Sequence, residues 1–204
     1  IGRPAGIPRT GVFGLLDMVG LDLMPQVLSS MAAGLPKDDP FHSVYRPPEM
    51  IEKMVASGYT GRKGNGGFYR LSKEGGEQVK EAIDLVTGDY AKATEPSFDS
   101  VEASKKGGLR ALLDHQDSGG QYGWAVWSKT LSYAASLVPE IADDVVAVDE
   151  AMRLGYNWKF GPFELIDQLG VEWFATKLNA DGIRVPELIN TVSGKSFYRT
   201  EKGV

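Results

Sequence analysis

From Gly58 to Tyr69 the chain reads GYTGRKGNGGFY, and its segment Gly61-Arg62-Lys63-Gly64-Asn65-Gly66-Gly67 is the stretch best suited to hold an anion. Backbone amides in a glycine-rich turn, joined by two cations, can converge on a phosphate. The lysine precedes most of these glycines instead of following them, so the segment is neither a P-loop nor a Gly-x-Gly-x-x-Gly fingerprint. A tight turn around Asn65-Gly66 with solvated cations is the simpler reading. Asp17 and Asp167 are the next candidates: either carboxylate could pair with a base or bind a ligand hydroxyl, or could hold a neighbouring helix or loop. The two histidines, His42 and His115, lie far apart with no Ser or Asp in triad-like spacing, and they read as surface or loop residues. Trp124 and Trp127 could form a stacking platform, but their helical spacing reads better as packing.

The composition excludes several chemistries. The chain has no cysteine, so thiol nucleophiles, iron–sulfur clusters and cysteine zinc sites are ruled out, and two histidines are too few for a histidine-rich metal site. With 22 basic and 27 acidic residues the net charge is −5, which leaves no cationic surplus for a nucleic-acid backbone. No apolar run reaches the roughly 18 residues of a membrane span, and no signal peptide opens the chain. A soluble intracellular protein is expected. The 204 residues begin at Ile1 directly in patterned sequence, which reads as a piece of something longer.

The elements that must position these residues read as helices. Asp22 is expected to cap a helix carrying Leu23, Met24, Val27, Leu28 and Met31, with Pro25 near its start and Gly34 as its stop. Pro47-Pro48 opens a second helix through Met50, Ile51, Met54 and Val55, and residues 77–87 fit a third through Val79, Ala82, Ile83 and Val86. Trp124, Trp127, Leu131, Ala134 and Val138 form one helical stripe, Asp143 and Asp144 open the next helix, and Pro162 starts a short one ending at Gly170. Val171 to Leu178 and Pro186 to Val192 supply two more. The segment 91–123, polar and turn-rich around a short helix from Val101 to His115, is expected to be an inter-domain connector. No run of alternating β-branched residues is long enough to support a sheet, so the reading is all-α.

An internal repeat organises the chain. GVFGLLDMVGLD (Gly11 to Asp22) aligns without gaps with GPFELIDQLGVE (Gly161 to Glu172), with five of twelve positions identical, Asp17 and Asp167 among them. PEMI at Pro48 is then matched by PELI at Pro186, and FYR at Phe68 by FYR at Phe197, in the same order. The expected organisation is a first copy over 1–90, the connector over 91–123 and a second copy over 124–204. Two helices precede the shared block in the second copy, whereas the first copy starts almost at the block. Its front is expected to lie upstream. A carboxylate present in both copies favours a structural role.

DEAMRLGYNWKFGPFELIDQLGVEWF, from Asp149 to Phe174, resembles the signature of the C-terminal helical domain of 3-hydroxyacyl-CoA dehydrogenases. The first copy resembles it through Gly11, Phe13, Leu15, Asp17, Gly20, Leu21 and Asp22, and GRKGNGGFY resembles the family's glycine-rich loop. Val12 stands where the signature has proline, and Gly64 where the loop has threonine. The resemblance implies two tandem, related helical-bundle domains of the 6-phosphogluconate dehydrogenase C-terminal-like fold, forming a pseudo-dimer as in multifunctional fatty-acid oxidation proteins.

By the same resemblance the full-length enzyme would oxidise (3S)-3-hydroxyacyl-CoA in β-oxidation. NAD would be bound by an upstream Rossmann domain of the same polypeptide, which also carries a His/Glu catalytic pair, while an Asn comes from the missing front of the first copy. No catalytic, NAD-binding or metal-binding position is then expected in these 204 residues, and the isolated piece is expected to be inactive. Substrate contacts are expected at Phe13, Asp17 and Lys63. The resemblance leaves room for a downstream enoyl-CoA hydratase domain and a homo-oligomer, and implies a cytoplasmic setting with neither nucleic acid nor a membrane span. The alternative is a stand-alone helical interaction or acyl-CoA-binding module without dehydrogenase activity.

Overall fold

The computed structural model describes residues 2–74, 76–192 and 194–199. It is predominantly helical and divides into two compact units: Thr10–Pro96, and the remainder, made of residues 2–9 and the chain from Ser97 onward. Residues 1 and 200–204, at the outer ends of the two expected copies, lie outside the described residues.

The first unit opens with α1 (Val12–Val19), which stops at Gly20, where a φ of +116° suits only glycine. A 3-10 turn, Leu21–Leu23, runs directly into α2 (Met24–Gly34), with Pro25 in its first turn. The expected capping role of Asp22 is not found. The backbone is already helical through Leu23, so no extended N-cap position exists. Two short helices follow, α3 (Phe41–Val44) and α4 (Glu49–Ala56). Leu21, Met54 of α4 and Phe68 form a small buried cluster, with Leu16, Met50, Ile51 and Val55 packed around it.

The unit closes with an antiparallel meander of β1 (Tyr69–Glu74), β2 (Glu77–Ile83) and β3 (Tyr90–Lys92). The helix expected over 77–87 is therefore a strand followed by a turn. Its apolar spacing fits either state, but pairing with β1 in the register Tyr69↔Ala82 to Glu74↔Glu77 gives the backbone its hydrogen bonds, and Gly76, at φ +92°, lies in the reversal. After Ile83 the Asp84 carboxylate takes the amides of Val86 and Thr87, both at 2.8 Å, and Gly88 at φ +80° turns the chain toward β3. Arg70 of β1 pairs with Glu81 of β2 at 2.6 Å and lies 3.9 Å from the Tyr90 ring centroid.

The regular elements among the described residues of the second unit are helices: α5 (Asp99–Leu113), α6 (Ser118–Ser136), α7 (Val145–Tyr156), α8 (Pro162–Leu169), α9 (Val171–Ala180) and α10 (Glu187–Val192). Its core is larger, centred on Trp127 and Leu131 of α6, Phe163, Leu165, Ile166 and Leu169 of α8, and Phe174 and Leu178 of α9. Most of the expected connector belongs to it. The α5 helix, kinked at Gly108, buries Leu109, Leu112 and Leu113 in this core. Residues 2–9, expected with the first copy, also pack here: Ala5, in a 3-10 turn, is fully buried, and the Lys159 amide donates to the Gly6 carbonyl at 2.9 Å. Asp117 ties two helix starts together by accepting from Ser100 N of α5 at 2.9 Å and Gly120 N of α6 at 2.8 Å. Asp144 caps α7 through the Ala147 amide at 2.9 Å.

Candidate functional site

The residues singled out in the first unit converge on one carboxylate. Asp17, on the buried side of α1, accepts the Phe68 amide at Oδ1 (2.7 Å) and the Tyr69 amide at Oδ2 (2.8 Å). Its carbonyl accepts the Arg62 amide at 2.8 Å. The glycine-rich loop therefore wraps around Asp17. A Cβ on Gly61 would sit 2.4 Å from the Asp17 carbonyl oxygen, and one on Gly67 would sit 2.0 Å from Oδ1. Both glycines are required by this close approach, not by a ligand.

The loop amides point inward. Gly61 N donates to Gly66 O at 2.8 Å, Gly64 N to Gly61 O at 3.0 Å and Gly67 N to Tyr69 O at 3.0 Å. A nest of amides aimed at an anion is thus not what this loop builds. Its cations remain at the surface, with Lys63 Nζ 3.2 Å from Asp22, both side chains solvent-accessible. That is where Asp22 is engaged in place of capping α2. The Phe13 ring, partly exposed, lies 4.5 Å from the Phe68 ring, just past the residue pair that Asp17 holds. Phe13, Asp17 and Lys63 are thus gathered on α1 and the loop it anchors, with Asp17 beneath and the other two at the surface.

The second unit repeats the arrangement. Asp167 on α8 accepts the Phe197 amide at 2.8 Å and the Tyr198 amide at 2.9 Å, and Phe163 and Phe197 stack edge-on at 5.0 Å. Here the start of the helix is also capped, by a residue that sequence reasoning passed over. Asp149 of α7, fully buried, takes Phe163 N at 2.9 Å, Glu164 N at 3.0 Å and the Tyr198 hydroxyl at 2.8 Å. Burial raises the Asp149 carboxyl above the usual range, against the lowering effect of these hydrogen bonds, and burial with the adjoining carboxylate also raises the Tyr198 phenol. A Cβ on Gly161 would lie 2.3 Å from Asp149 Cβ, so the capping carboxylate needs glycine at that place. Glu164 closes the cap, accepting Gly161 N at 2.8 Å while pairing with Arg153 at 2.7 Å. The pointer to Asp149 was its place at the head of the DEAM motif, one helix before the repeated block.

His42 lies in the first unit beside Phe41, and His115 in the second, where Nδ1 accepts the Asp117 amide at 3.3 Å. Trp124 and Trp127 face the helical core, Trp124 donating from its indole N–H to Asp181. Among the described residues no group of three or more His, Asp or Glu side chains could hold a metal ion, and no single helix is long and apolar enough to cross a membrane. The described residues do not fit NAD either. The sheet is an antiparallel meander, and the glycine-rich loop leads from helix to strand, the reverse of a strand–turn–helix dinucleotide cradle.

The family model of the 3-hydroxyacyl-CoA dehydrogenase C-terminal domain matches residues 2–71 and again residues 122–191. The chain belongs to the 3-hydroxyacyl-CoA dehydrogenase family. Each match contains one carboxylate, Asp17 or Asp167, of the paired arrangement. Among relatives of this chain, a Rickettsia felis protein named as a fatty acid oxidation complex trifunctional enzyme is 36% identical over 97% of this chain and 26% of its own length. A Bacillus subtilis protein named as a 3-hydroxyacyl-CoA dehydrogenase is 35% identical over 97% of this chain and 25% of its own length. The chain thus spans about a quarter of these relatives. The crystal structure of 3-hydroxybutyryl-CoA dehydrogenase from Escherichia coli K12 superposes with a TM-score of 0.54 at 18% identity, covering 92% of this chain and 51% of that one, a likeness of fold.

Proposed function

We propose that this chain is the substrate-side and dimerisation portion of an NAD-dependent (3S)-3-hydroxyacyl-CoA dehydrogenase of fatty-acid β-oxidation, and that the 204 residues are inactive alone. The observation that carries this reading is the tandem match to the family's C-terminal domain in described residues that offer no dinucleotide cradle. The reaction takes a proton from the C3 hydroxyl and a hydride from C3, leaving the 3-oxoacyl thioester; NAD, when bound, accepts the hydride. The base and the residues that orient it belong to an upstream Rossmann domain and to helices ahead of α1.

The chain's own part is to border the acyl-CoA. Phe13 presents an apolar ring, and Lys63 an exposed ammonium suited to the phosphates of a CoA thioester. Asp17 is the positioning residue: it holds Phe68, whose ring packs on Phe13, and its carbonyl takes the Arg62 amide beside Lys63. The printed name of the Rickettsia relative, a trifunctional enzyme of a fatty acid oxidation complex, supports a multifunctional setting; a downstream enoyl-CoA hydratase domain and a cytoplasmic homo-oligomer are further parts of the proposal.

The test is NADH-dependent reduction of acetoacetyl-CoA. The 204-residue chain is expected to show no turnover above background, whereas a polypeptide that includes the upstream domain turns over. Turnover by the short chain overturns the division of labour proposed here.

A further inference from the structure

The peptide Gly67-Phe68-Tyr69 is held from two sides. Its amides go to α1, where Asp17 takes those of Phe68 and Tyr69 at 2.7 and 2.8 Å. Its carbonyls go to the meander. The Ile83 amide at the end of β2 donates to the Phe68 carbonyl at 3.0 Å, and Tyr90, paired with Ile83 across β2 and β3, donates from its hydroxyl to the Gly67 carbonyl at 2.5 Å. The first of these bonds is made by backbone, so any residue but proline can supply it. The second depends on a side chain, and Tyr90 supplies it.

Tyr90 is itself fixed. The Arg70 guanidinium lies 3.9 Å from its ring centroid and is tied through Nε to Glu81 at 2.6 Å and through Nη1 to the Tyr59 hydroxyl at 3.1 Å. Burial first, and then the neighbouring Tyr59, raise the Tyr90 phenol, so it stays a donor through neutral pH. Arg70 also bounds the glycine-rich loop, because a Cβ on Gly66 would come within 2.5 Å of Arg70 Cβ. Gly61 N donates to Gly66 O at 2.8 Å, so Gly61 and the pair Gly66-Gly67 form the root of the short loop that carries Lys63.

We infer that Tyr90 is a further positioning residue of the acyl-CoA site: by holding the Gly67 carbonyl it fixes the root of the glycine-rich loop, and with it the place of the Lys63 ammonium. The inference rests on the reading of Lys63 as the contact to the phosphates of the CoA thioester. Without the hydroxyl the Gly67 carbonyl has lost its donor and the root is less constrained, so the ammonium must be ordered when the ligand binds. The cost falls on binding, hence on KM, and not on the chemical step.

A double-mutant cycle in the polypeptide that includes the upstream domain, with acetoacetyl-CoA and NADH, tests this. Tyr90→Phe keeps the ring against Arg70 and removes only the hydroxyl. It is expected to raise KM about three- to tenfold with kcat little changed, the scale of one lost hydrogen bond. In a Lys63→Ala background it is expected to leave KM where Lys63→Ala puts it, because the residue through which Tyr90 acts is gone. In the 204-residue chain, Tyr90→Phe is expected to speed amide exchange at Gly61 and Gly67 about tenfold while the amides of α4 exchange as before. Equal rises in KM with and without Lys63 overturn the inference, as does faster exchange throughout α4, since both mark a general loosening of the unit. An unchanged KM where Lys63→Ala does raise it, or unchanged exchange at Gly61 and Gly67, overturns it as well. If Lys63→Ala itself leaves KM unmoved, the reading of Lys63 falls and this inference falls with it, a pattern distinct from failure of Tyr90 alone.

Discussion

Asp17 and Phe68, 51 residues apart, are joined by a 2.7 Å hydrogen bond from the Phe68 amide to the Asp17 carboxylate, and Asp167 and Phe197 are joined in the same way at 2.8 Å across 30 residues. The carboxylate fastens the last shared block of each copy to the helix of its first. The intervening chain differs, with three α-helices and a 3-10 turn in the first copy against two α-helices among the described residues of the second, yet the fastening is the same. That is why the sequence can vary in between while the Asp, Phe and Tyr recur.

Removing this fastening destabilises the first unit. Asp17→Ala leaves two inward-facing amides without an acceptor, and each buried donor so stranded costs about 1–3 kcal/mol. The expected loss is about 2–5 kcal/mol, read by urea unfolding. Asp17→Asn keeps one carbonyl acceptor and loses less. A chain whose midpoint is unchanged by Asp17→Ala shows that the carboxylate does not hold the loop.

Gly67→Ala tests the same contact from the other side. The added methyl meets Asp17 Oδ1 at 2.0 Å and the backbone of Gly61 at 3.0 Å, so the loop must move off the helix. A cost of about 1–3 kcal/mol is expected, whereas Gly88→Ala, with open space around it, carries only the strain of its positive φ. If Gly67→Ala proves no worse than Gly88→Ala, the close approach is not constraining.

The repeat was legible because its recurring residues sit where geometry admits little else. Gly20 and Gly170 both hold positive φ, at +116° and +87°, and Asp17 and Asp167 both serve backbone amides. The strand β2 was not legible, since Val79, Ala82 and Ile83 satisfy helical spacing as well as a pleat, and only the distant partner β1 decides. The connector was misjudged for a related reason. The helix from Val101 to His115 was visible but its burial was not: kinked at Gly108, α5 carries Leu109, Leu112 and Leu113 into the core of the second unit. Residues 2–9 were read with the first copy because nothing local marks their tertiary contacts, Ala5 and Ile7 in the core of the second unit and the Lys159 amide on the Gly6 carbonyl. Asp149 was visible as part of a motif, but its capping role required the fold that brings α7 to the start of α8.

Acid is expected to loosen the second unit through Asp117. Partial desolvation raises this carboxyl, but the Ser100 and Gly120 amides and His115 together lower it, from 3.8 to about 2. A depressed carboxyl contributes stability that is fully present above its unfolded value and is lost as pH falls through its folded value, so the loss develops between about pH 4 and pH 2. Asp117→Asn is expected to lower the melting temperature at pH 6 and to make progressively less difference toward pH 2. Curves that stay parallel over that interval show that Asp117 does not link folding to protonation.

Lys63 and Asp22 give opposite signs in one assay. Their 3.2 Å pair is solvent-exposed and contributes at most about 1 kcal/mol to folding, so neither substitution should unfold the protein. If Lys63 meets the phosphates of acyl-CoA in the longer enzyme, Lys63→Ala raises KM severalfold with kcat little changed, because a ground-state contact has been removed. Asp22→Asn frees the same ammonium from its partner and lowers KM. Steady-state kinetics at low ionic strength, where an exposed charge acts furthest, separates the cases. Two variants that leave KM where it was remove Lys63 from the substrate site and leave it as a surface ion pair.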